Sequence, residues 1–129
     1  MIKVLKIDAG DRPQVVWMNS GLRSLQKAVG GTIQALYPWE DEVAVICDDE
    51  GKMKGYPLNR VLADEENTIY DILCGTFLIV GLTEEGFGSL PDKLIGKFSR
   101  KFYEPEFFMR TKDGHMFMMK GDDDIVVVY

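Results

Sequence analysis

The sequence predicts an α+β fold that is built mainly on antiparallel sheet and contains two main helices. Short apolar runs bounded by Gly, Pro, Asp and Asn recur along the chain and predict about eight strands. Only two segments place apolar residues at helical spacing, and few connections have the strand–helix–strand order of a parallel sheet. With 129 residues, 46% apolar and 28% charged, the chain has the size and composition of one domain spanning residues 1–129.

The N-terminal half is predicted to contain four strands and the first helix. The strands cover residues 1–8, 14–18, 32–37 and 43–47. The loop at residues 9–13 contains Gly, Asp and Pro, which favours a hairpin between the first two strands. Apolar residues at helical spacing over residues 22–29 predict a helix, with Asn19 or Ser20 as N-cap and Gly30 at its left-handed end.

The middle of the chain gives a weaker pattern. Residues 52–66 are predicted to be the least regular part, and residues 68–74 form an apolar segment of unassigned type. Residues 76–82 have the composition of the most buried strand, and the Gly-Phe-Gly sequence at residues 86–88 is predicted to be a loop leading to a helix.

The C-terminal part is predicted to contain the second helix followed by a three-strand meander. Ser89, with Pro91 in the first turn and Asp92 three residues after the serine, resembles a capping box, and Pro105 ends the helix. The meander strands cover residues 107–111, 115–119 and 125–129. One core cluster is expected to contain Leu25, Val45, Phe77, Ile79, Val80, Leu94 and Phe98.

The charge balance disfavours several classes of function. A net charge of −6 argues against direct binding to nucleic acid or to an anionic membrane, because both require concentrated Lys and Arg. The acids occur in short runs that border apolar segments, which is typical of solvated turns. These runs are Glu40-Asp41-Glu42, Asp48-Asp49-Glu50, Asp64-Glu65-Glu66 and Asp122-Asp123-Asp124.

No membrane segment, metal site or cofactor is predicted. The longest strongly apolar run, residues 77–82, is too short to cross a bilayer, and no signal-peptide pattern follows the N-terminus, so the expected location is the cytoplasm. Cys47 and Cys74 are far apart in sequence and are expected to be buried free thiols. His115 is expected to lie exposed beside a turn, and no serine has the context of a catalytic nucleophile.

The segment from residue 55 to residue 60 is the most distinctive candidate site. It combines Gly55, Pro57, Asn59 and Arg60, and an adjacent Asn and Arg can bind a carboxylate or phosphate. The same residues can instead fix the loop, which is the interpretation that we favour. In that case Arg60 is expected to form an ion pair with an acid at residue 48, 49, 64 or 65, and Asn59 to bond the backbone of its own loop.

The second helix carries a basic stripe that could receive an anion or an acidic partner. Four cations fall within roughly a quarter of its circumference, beside the apolar face, although a solvated helix face has the same appearance. The stripe consists of Lys93, Lys97, Arg100 and Lys101.

Several motifs together resemble the domain-of-unknown-function family numbered 3846, small proteins associated with phages and mobile elements. The chain shows "LQKAVGGTIQAL" in the first helix and the following strand, "VAVICDDEGKMKGYPLNR" after it, and then "ILCGTFLIVGL". The resemblance covers residues 1–103, and the remaining residues 104–129 look like a C-terminal β extension. It implies a small accessory module and brings no activity, substrate or catalytic residue.

The sequence therefore predicts a non-enzymatic accessory or binding module that acts through an unknown protein partner or a small ligand. Two alternatives stay open. An acidic antagonist of a DNA-binding protein requires the acid runs to converge on one face. A small enzyme or a nucleotide- or anion-binding protein requires a pocket that contains Asn59 and Arg60. The sequence leaves the oligomeric state open.

Overall fold

The fold was determined as a computed structural model that describes residues 1–121 and 124–128, with residues 124–127 described as backbone only. The helices are α1 (Leu22–Val29) and α2 (Asp92–Lys101). The strands of the first half are β1 (Ile2–Ile7), β2 (Gln14–Met18), β3 (Ile33–Leu36), β4 (Val43–Asp48) and β5 (Leu58–Ala63). Those of the second half are β6 (Ile69–Cys74), β7 (Phe77–Thr83), β8 (Gly86–Gly88), β9 (Glu106–Arg110), β10 (Met116–Lys120) and β11 (Asp124–Val127).

The central sheet is antiparallel, with the strand order β2-β1-β7-β4-β3 and with β8 added to β7. It is covered on both faces. Leu25 and Val29 of α1 pack on one face, whereas Phe98 of α2 and Leu62 of β5 pack on the other. The α+β class predicted from the sequence is confirmed.

The core forms separate clusters, so the prediction of a single cluster is wrong. Phe77, Ile79, Val45 and Phe98 lie in the cluster under α2, with the partly buried Leu94 against it. Val80 and Leu25, the latter a residue of α1, lie in the second cluster, between α1 and the sheet. Successive side chains of a strand point to opposite faces, so Ile79 and Val80 cannot share a cluster in a sheet that is covered twice.

Strands β5 and β6 form a two-stranded ribbon, and β11-β10-β9 form the predicted C-terminal meander. The meander packs its inner face on the ribbon, through Met116, Met118 and Phe108 against Val61 and Ile72. Residues 52–66, predicted to be the least regular part, contain a strand that was not predicted, because Leu58–Ala63 pairs with Ile69–Cys74. The predicted loop at residues 86–88 is also a short strand, paired with β7.

The predicted helix ends are correct at one terminus and wrong at two. Gly30 ends α1 in the left-handed conformation, with φ of 100°. Gly21, rather than Asn19 or Ser20, precedes α1 and makes no side-chain cap. Ser89 does not cap α2 either, because its Oγ accepts a hydrogen bond from the main-chain N–H of Lys3 on the neighbouring strand, at 2.9 Å.

Candidate functional site

Asn59 and Arg60 lie on strand β5, and their side chains are fully buried, with 0% exposure for each residue. Neither residue lines the surface clefts that are described below. The enzyme and anion-binding hypotheses require a pocket that contains both residues. None of these clefts is such a pocket.

The guanidinium of Arg60 is held by carbonyl oxygens. Its Nη2 donates hydrogen bonds to the main-chain oxygens of Asp11, at 2.6 Å, and of Phe102, at 3.0 Å. Its Nη1 donates to Oδ1 of Asn59 at 2.8 Å. The side chain thereby joins β5 to the β1–β2 loop and to the end of α2.

The predicted ion pair between Arg60 and an acid of the neighbouring turns is wrong. No carboxylate of the described residues lies within ion-pair distance of Arg60. The expected acids are engaged elsewhere: Asp48 pairs with Lys54 at 2.7 Å, and Asp64 accepts N–H groups of its own turn. The strand directs Arg60 inward, away from those turns.

Burial lowers the pKa of Arg60, and the charges of Glu106 and Asp11 oppose that shift. Glu106 is itself buried, and its Oε1 accepts the main-chain N–H of Val61 at 2.7 Å. Burial raises the pKa of Glu106, against the effects of the Val61 hydrogen bond, Lys120 and Arg60. Two buried ionisable groups of opposite sign therefore lie near each other without direct contact, which leaves a long-range attraction between them.

Sequence reasoning missed Glu106. Its position in the sequence could have indicated that it is buried. Glu106 lies two residues before Phe108, so both side chains lie on the inner face of β9. An acid at an inward position of a strand is uncommon and needs a partner. Glu106 connects the meander to β5 through the bond to Val61.

Asn59 does not bond the backbone of its own loop, so that prediction is also wrong. Its Nδ2 donates to the main-chain oxygens of Ile7, at 3.0 Å, and Gly75, at 2.8 Å. With both amide hydrogens used and Oδ1 accepting from Arg60, the side chain is bonded at each end. Asn59 therefore links β5 to β1 and to the β6–β7 turn.

Tyr56, between Gly55 and Pro57, packs on backbone that only glycine leaves open. A Cβ on Gly75 would lie 2.6 Å from the ring of Tyr56, and a Cβ on Gly30 would lie 2.6 Å from its hydroxyl. The hydroxyl also lies 3.3 Å from the main-chain oxygen of Gly30 and donates a hydrogen bond to it. Glycines of two separate segments thus meet at one aromatic ring.

A cleft of about 520 Å³ opens beside this ring. Its polar lining residues include Asp8, Lys27, Tyr56 and Thr76, and Pro57 contributes to the wall. Asp8 accepts the hydroxyl hydrogen of Thr76 at 2.5 Å, so this carboxylate is already engaged. The candidate segment therefore borders open space through Tyr56 and Pro57, whereas Asn59 and Arg60 lie beneath it.

The two cysteines line a smaller cleft of about 110 Å³. Both are buried free thiols, as predicted. Burial, followed by the charge of Asp71, raises the pKa of the Cys47 thiol to about 11, so it is protonated and weakly nucleophilic at neutral pH. Among the described residues, no group of His, Cys, Asp and Glu is arranged to hold a metal ion. His115 is exposed, as expected.

The basic stripe of α2 is partly used within the protein. Lys97 pairs with Asp41 at 2.9 Å, and the ammonium of Lys101 lies 5.6 Å from the centre of the Trp39 ring. Burial lowers the pKa of Lys101, and the charges of Lys120 and Lys97 add to that effect. Lys93 and Arg100 are exposed on the same helix.

The acid runs that the structure describes lie in two places, at the two ends of β4. The runs at residues 40–42 and 64–66 meet, because the main-chain N–H of Glu40 donates to the carboxylate of Glu65 at 2.7 Å. The run at residues 48–50 begins at the other end of β4. The run at residues 122–124 lies outside the residues whose side chains the structure describes.

A comparison with protein families identifies the relatives of this fold. The family model described as Domain of unknown function (DUF3846) matches residues 2–103. The chain belongs to the DUF3846 family. The matched range contains both helices, strands β1–β8 and the Asn59–Arg60 pair, whereas β9 begins beyond it. No match was found among curated proteins or among solved structures. Neither helix of the described chain has the length and apolar character needed to span a membrane.

Proposed function

We propose that this DUF3846 protein is a non-enzymatic accessory module of a phage or mobile element that acts in the cytoplasm by binding a protein partner. The family description assigns no activity, and the most distinctive polar residues of the chain serve the fold. The function must then reside on the surface, and the surface carries large apolar side chains.

The observation that carries the proposal is the exposure of these side chains in two patches. Trp17 is 61% exposed on β2, beside the half-exposed Val15. On the outer face of the meander, Phe107 and Met109 are 56% and 59% exposed. Aromatic residues and Met are enriched in protein interfaces, and clusters of them on a surface mark interaction sites.

The alternatives have less support. A nucleotide- or anion-binding protein or an enzyme that uses Asn59 and Arg60 requires access to two residues that have none. An antagonist that mimics DNA requires acids on one face, yet the run at residues 48–50 lies at the far end of β4 from the run at residues 40–42. Lys97 also forms an ion pair with Asp41, which belongs to the run at residues 40–42.

A photo-crosslinking experiment tests the proposal. A benzophenone amino acid is placed at Trp17 or at Met109, with the exposed Lys112 as the control position, and the protein is irradiated in cells that carry the mobile element. We expect one discrete protein adduct at Trp17 or Met109 and none at Lys112. If irradiation gives no adduct at either patch, and native mass spectrometry of the purified protein finds a retained small molecule, the small-ligand alternative replaces this proposal.

A further inference from the structure

Strand β2 is one of the two outer strands of the central sheet, and its edge is unprotected. In the described part of the chain its only paired strand is β1, with five consecutive pairs and no bulge. Its sequence, Gln-Val-Val-Trp-Met, contains no charge, Pro or Gly. Proteins usually protect such an edge with Lys, Pro or a bulge, because its free N–H and C=O groups can pair with another strand.

The register of β2 sends its side chains to two different surfaces. Val15 and Trp17 pair with Leu5 and Lys3 and lie on the face that carries α2, where both remain exposed. Val16 and Met18 point to the opposite face, towards α1, and line a groove. A strand added beside β2 would have alternate side chains over Trp17 and in this groove.

The groove has a defined chemistry. It measures about 500 Å³, and its apolar walls include Val16, Met18 and Ala28. Its charged lining residues are Lys6 and Lys27, and none of the described lining residues is Asp or Glu. The Nζ atom of Lys6 lies 3.8 Å from Oδ2 of Asp8 and forms an ion pair with it. Among the described residues, no acid lies within ion-pair distance of Lys27. The two lysines of this lining favour a ligand that brings negative charge to the groove.

We infer that β2 accepts an extended segment of a partner protein as an additional strand. Main-chain hydrogen bonds to the free edge hold the segment. Apolar side chains on its α1-facing side enter the groove, an acidic side chain meets Lys27, and the opposite side chains cover Trp17. This inference rests on the proposed protein-binding function and assigns it to one surface and one class of ligand.

A second copy of the chain fits this edge less well. In a two-fold antiparallel pairing of β2, the two α1-facing grooves would lie on the same face, and among the described residues neither groove contains an Asp or Glu that could pair with Lys27 of the other copy. Each copy also carries a net charge of −6. An acidic extended segment can form main-chain hydrogen bonds with the edge of β2 and an ion pair with Lys27. We therefore favour a different protein as the partner.

The test uses a displayed library of random dodecapeptides selected against the wild-type protein. We expect the selected peptides to alternate apolar residues and to contain Asp or Glu, and their binding to slow amide hydrogen exchange at residues 14–18. Trp17→Lys should lower their affinity about tenfold or more. Lys27→Glu should lower it about tenfold at low salt and less at high salt. Met109→Lys, a matched change on the other exposed apolar patch, should leave the affinity within about twofold.

The remaining outcomes separate the surface assignment from protein binding itself. Peptides that still bind the Trp17→Lys variant but fail with Met109→Lys would overturn the assignment to β2 and leave the protein-binding proposal standing. A dimer in solution that Trp17→Lys dissociates would replace the foreign segment with a second copy. If no peptide is selected and Trp17 gives no cross-linked adduct in cells, the assignment to β2 is wrong. Thermal melting of each variant shows that it is folded before affinities are compared.

Discussion

Arg60 Nη1 donates a hydrogen bond to Oδ1 of Asn59, the preceding residue, and the two buried side chains form one unit. Neighbouring residues of a regular strand point to opposite faces, and the pairing of β5 with β6 shifts register between residues 58 and 60. At this shift in register, the side chains of Asn59 and Arg60 lie close enough to form a hydrogen bond. From there the pair reaches Ile7, Asp11, Gly75 and Phe102.

Replacing Arg60 with Ala is expected to lower the free energy of unfolding by at least about 3 kcal/mol, because the change removes several charged hydrogen bonds and leaves buried carbonyls unpaired. Urea denaturation measures this loss. The matched control is Arg23→Ala on the exposed face of α1, which should change stability by less than about 0.5 kcal/mol. A change at Arg60 as small as that of the control would contradict the structural role.

Replacing Glu106 with Gln tests the cost of its buried charge. The raised pKa means that the folded protein binds a proton to Glu106 more readily than the unfolded chain does. Ionised Glu106 therefore costs stability as the pH rises above the ordinary range of a glutamate, and protonation removes that cost as the pH falls. We expect Glu106→Gln to be at least as stable as the wild type at pH 7, with the difference shrinking towards pH 5.

Urea unfolding at both pH values measures the effect, with the exposed Glu84→Gln variant as the control. The Gln oxygen can still accept the N–H of Val61, so that hydrogen bond is preserved. A marked loss of stability of Glu106→Gln at pH 7 would mean that the attraction to Arg60 exceeds the desolvation cost.

Replacing Gly75 with Ala is expected to cost about 1–3 kcal/mol, because the new Cβ would overlap the Tyr56 ring. Gly75 also has a positive φ of 76°, which adds a backbone penalty. The control is Gly10→Ala. Gly10 has a similar φ of 81°, and a Cβ added to it would have no neighbouring atom within 4 Å, so this variant measures the backbone penalty alone. In a Tyr56→Ala background the steric part should disappear, and equal costs in both backgrounds would show that the ring and the glycine are not coupled.

Replacing Phe98 with Ala is expected to lower stability by about 3–5 kcal/mol, since the ring is fully buried against Trp39. Phe107→Ala removes the same atoms from a side chain that is mostly exposed, and it should cost less than about 1 kcal/mol. Thermal or urea unfolding compares the two. Similar losses for both would place Phe107 in a packed interface, as a dimer of the purified protein would produce.

Removal of metal is expected to leave stability unchanged. The single His and the two separated Cys of the sequence offer no closed ligand set. Melting curves recorded with and without EDTA should coincide. A fall of several degrees that calcium or zinc reverses would require a metal site.

The sequence was sufficient for those elements whose signals are local. Strand β2 has the predicted bounds, residues 14–18, because Pro13 and a polar pair at residues 19–20 flank an apolar run. The end of α1 was predictable because Gly30 adopts the left-handed conformation that its type favours. The meander followed in the same way from the turn residues between its strands.

Strand β5 and its polar pair could not be predicted in this way. An Asn-Arg sequence does not indicate a buried strand, because Asn is depleted in strands and Arg is almost never fully buried without partners. Here two partners of Arg60 are carbonyls 49 and 42 residues away in the chain, and one partner of Asn59 is 52 residues away. Local patterns contain no information about groups at such separations. The hydrogen-bond partner of Glu106 could not be predicted for the same reason. Its carboxylate accepts a hydrogen bond from the main-chain N–H of Val61, which lies 45 residues earlier in the chain.

The bonds of Arg60 also bear on the order in which the chain folds. A guanidinium keeps its hydration water until other acceptors replace it, and its acceptors here come from the N-terminal hairpin loop and from the end of α2. Desolvation of Arg60 must therefore wait until both segments have arrived, and contacts between such distant segments form slowly. We therefore expect the joint closure of β5, the hairpin loop and the end of α2 around one cation to come late in folding, with Arg60 hydrated until all three segments have met.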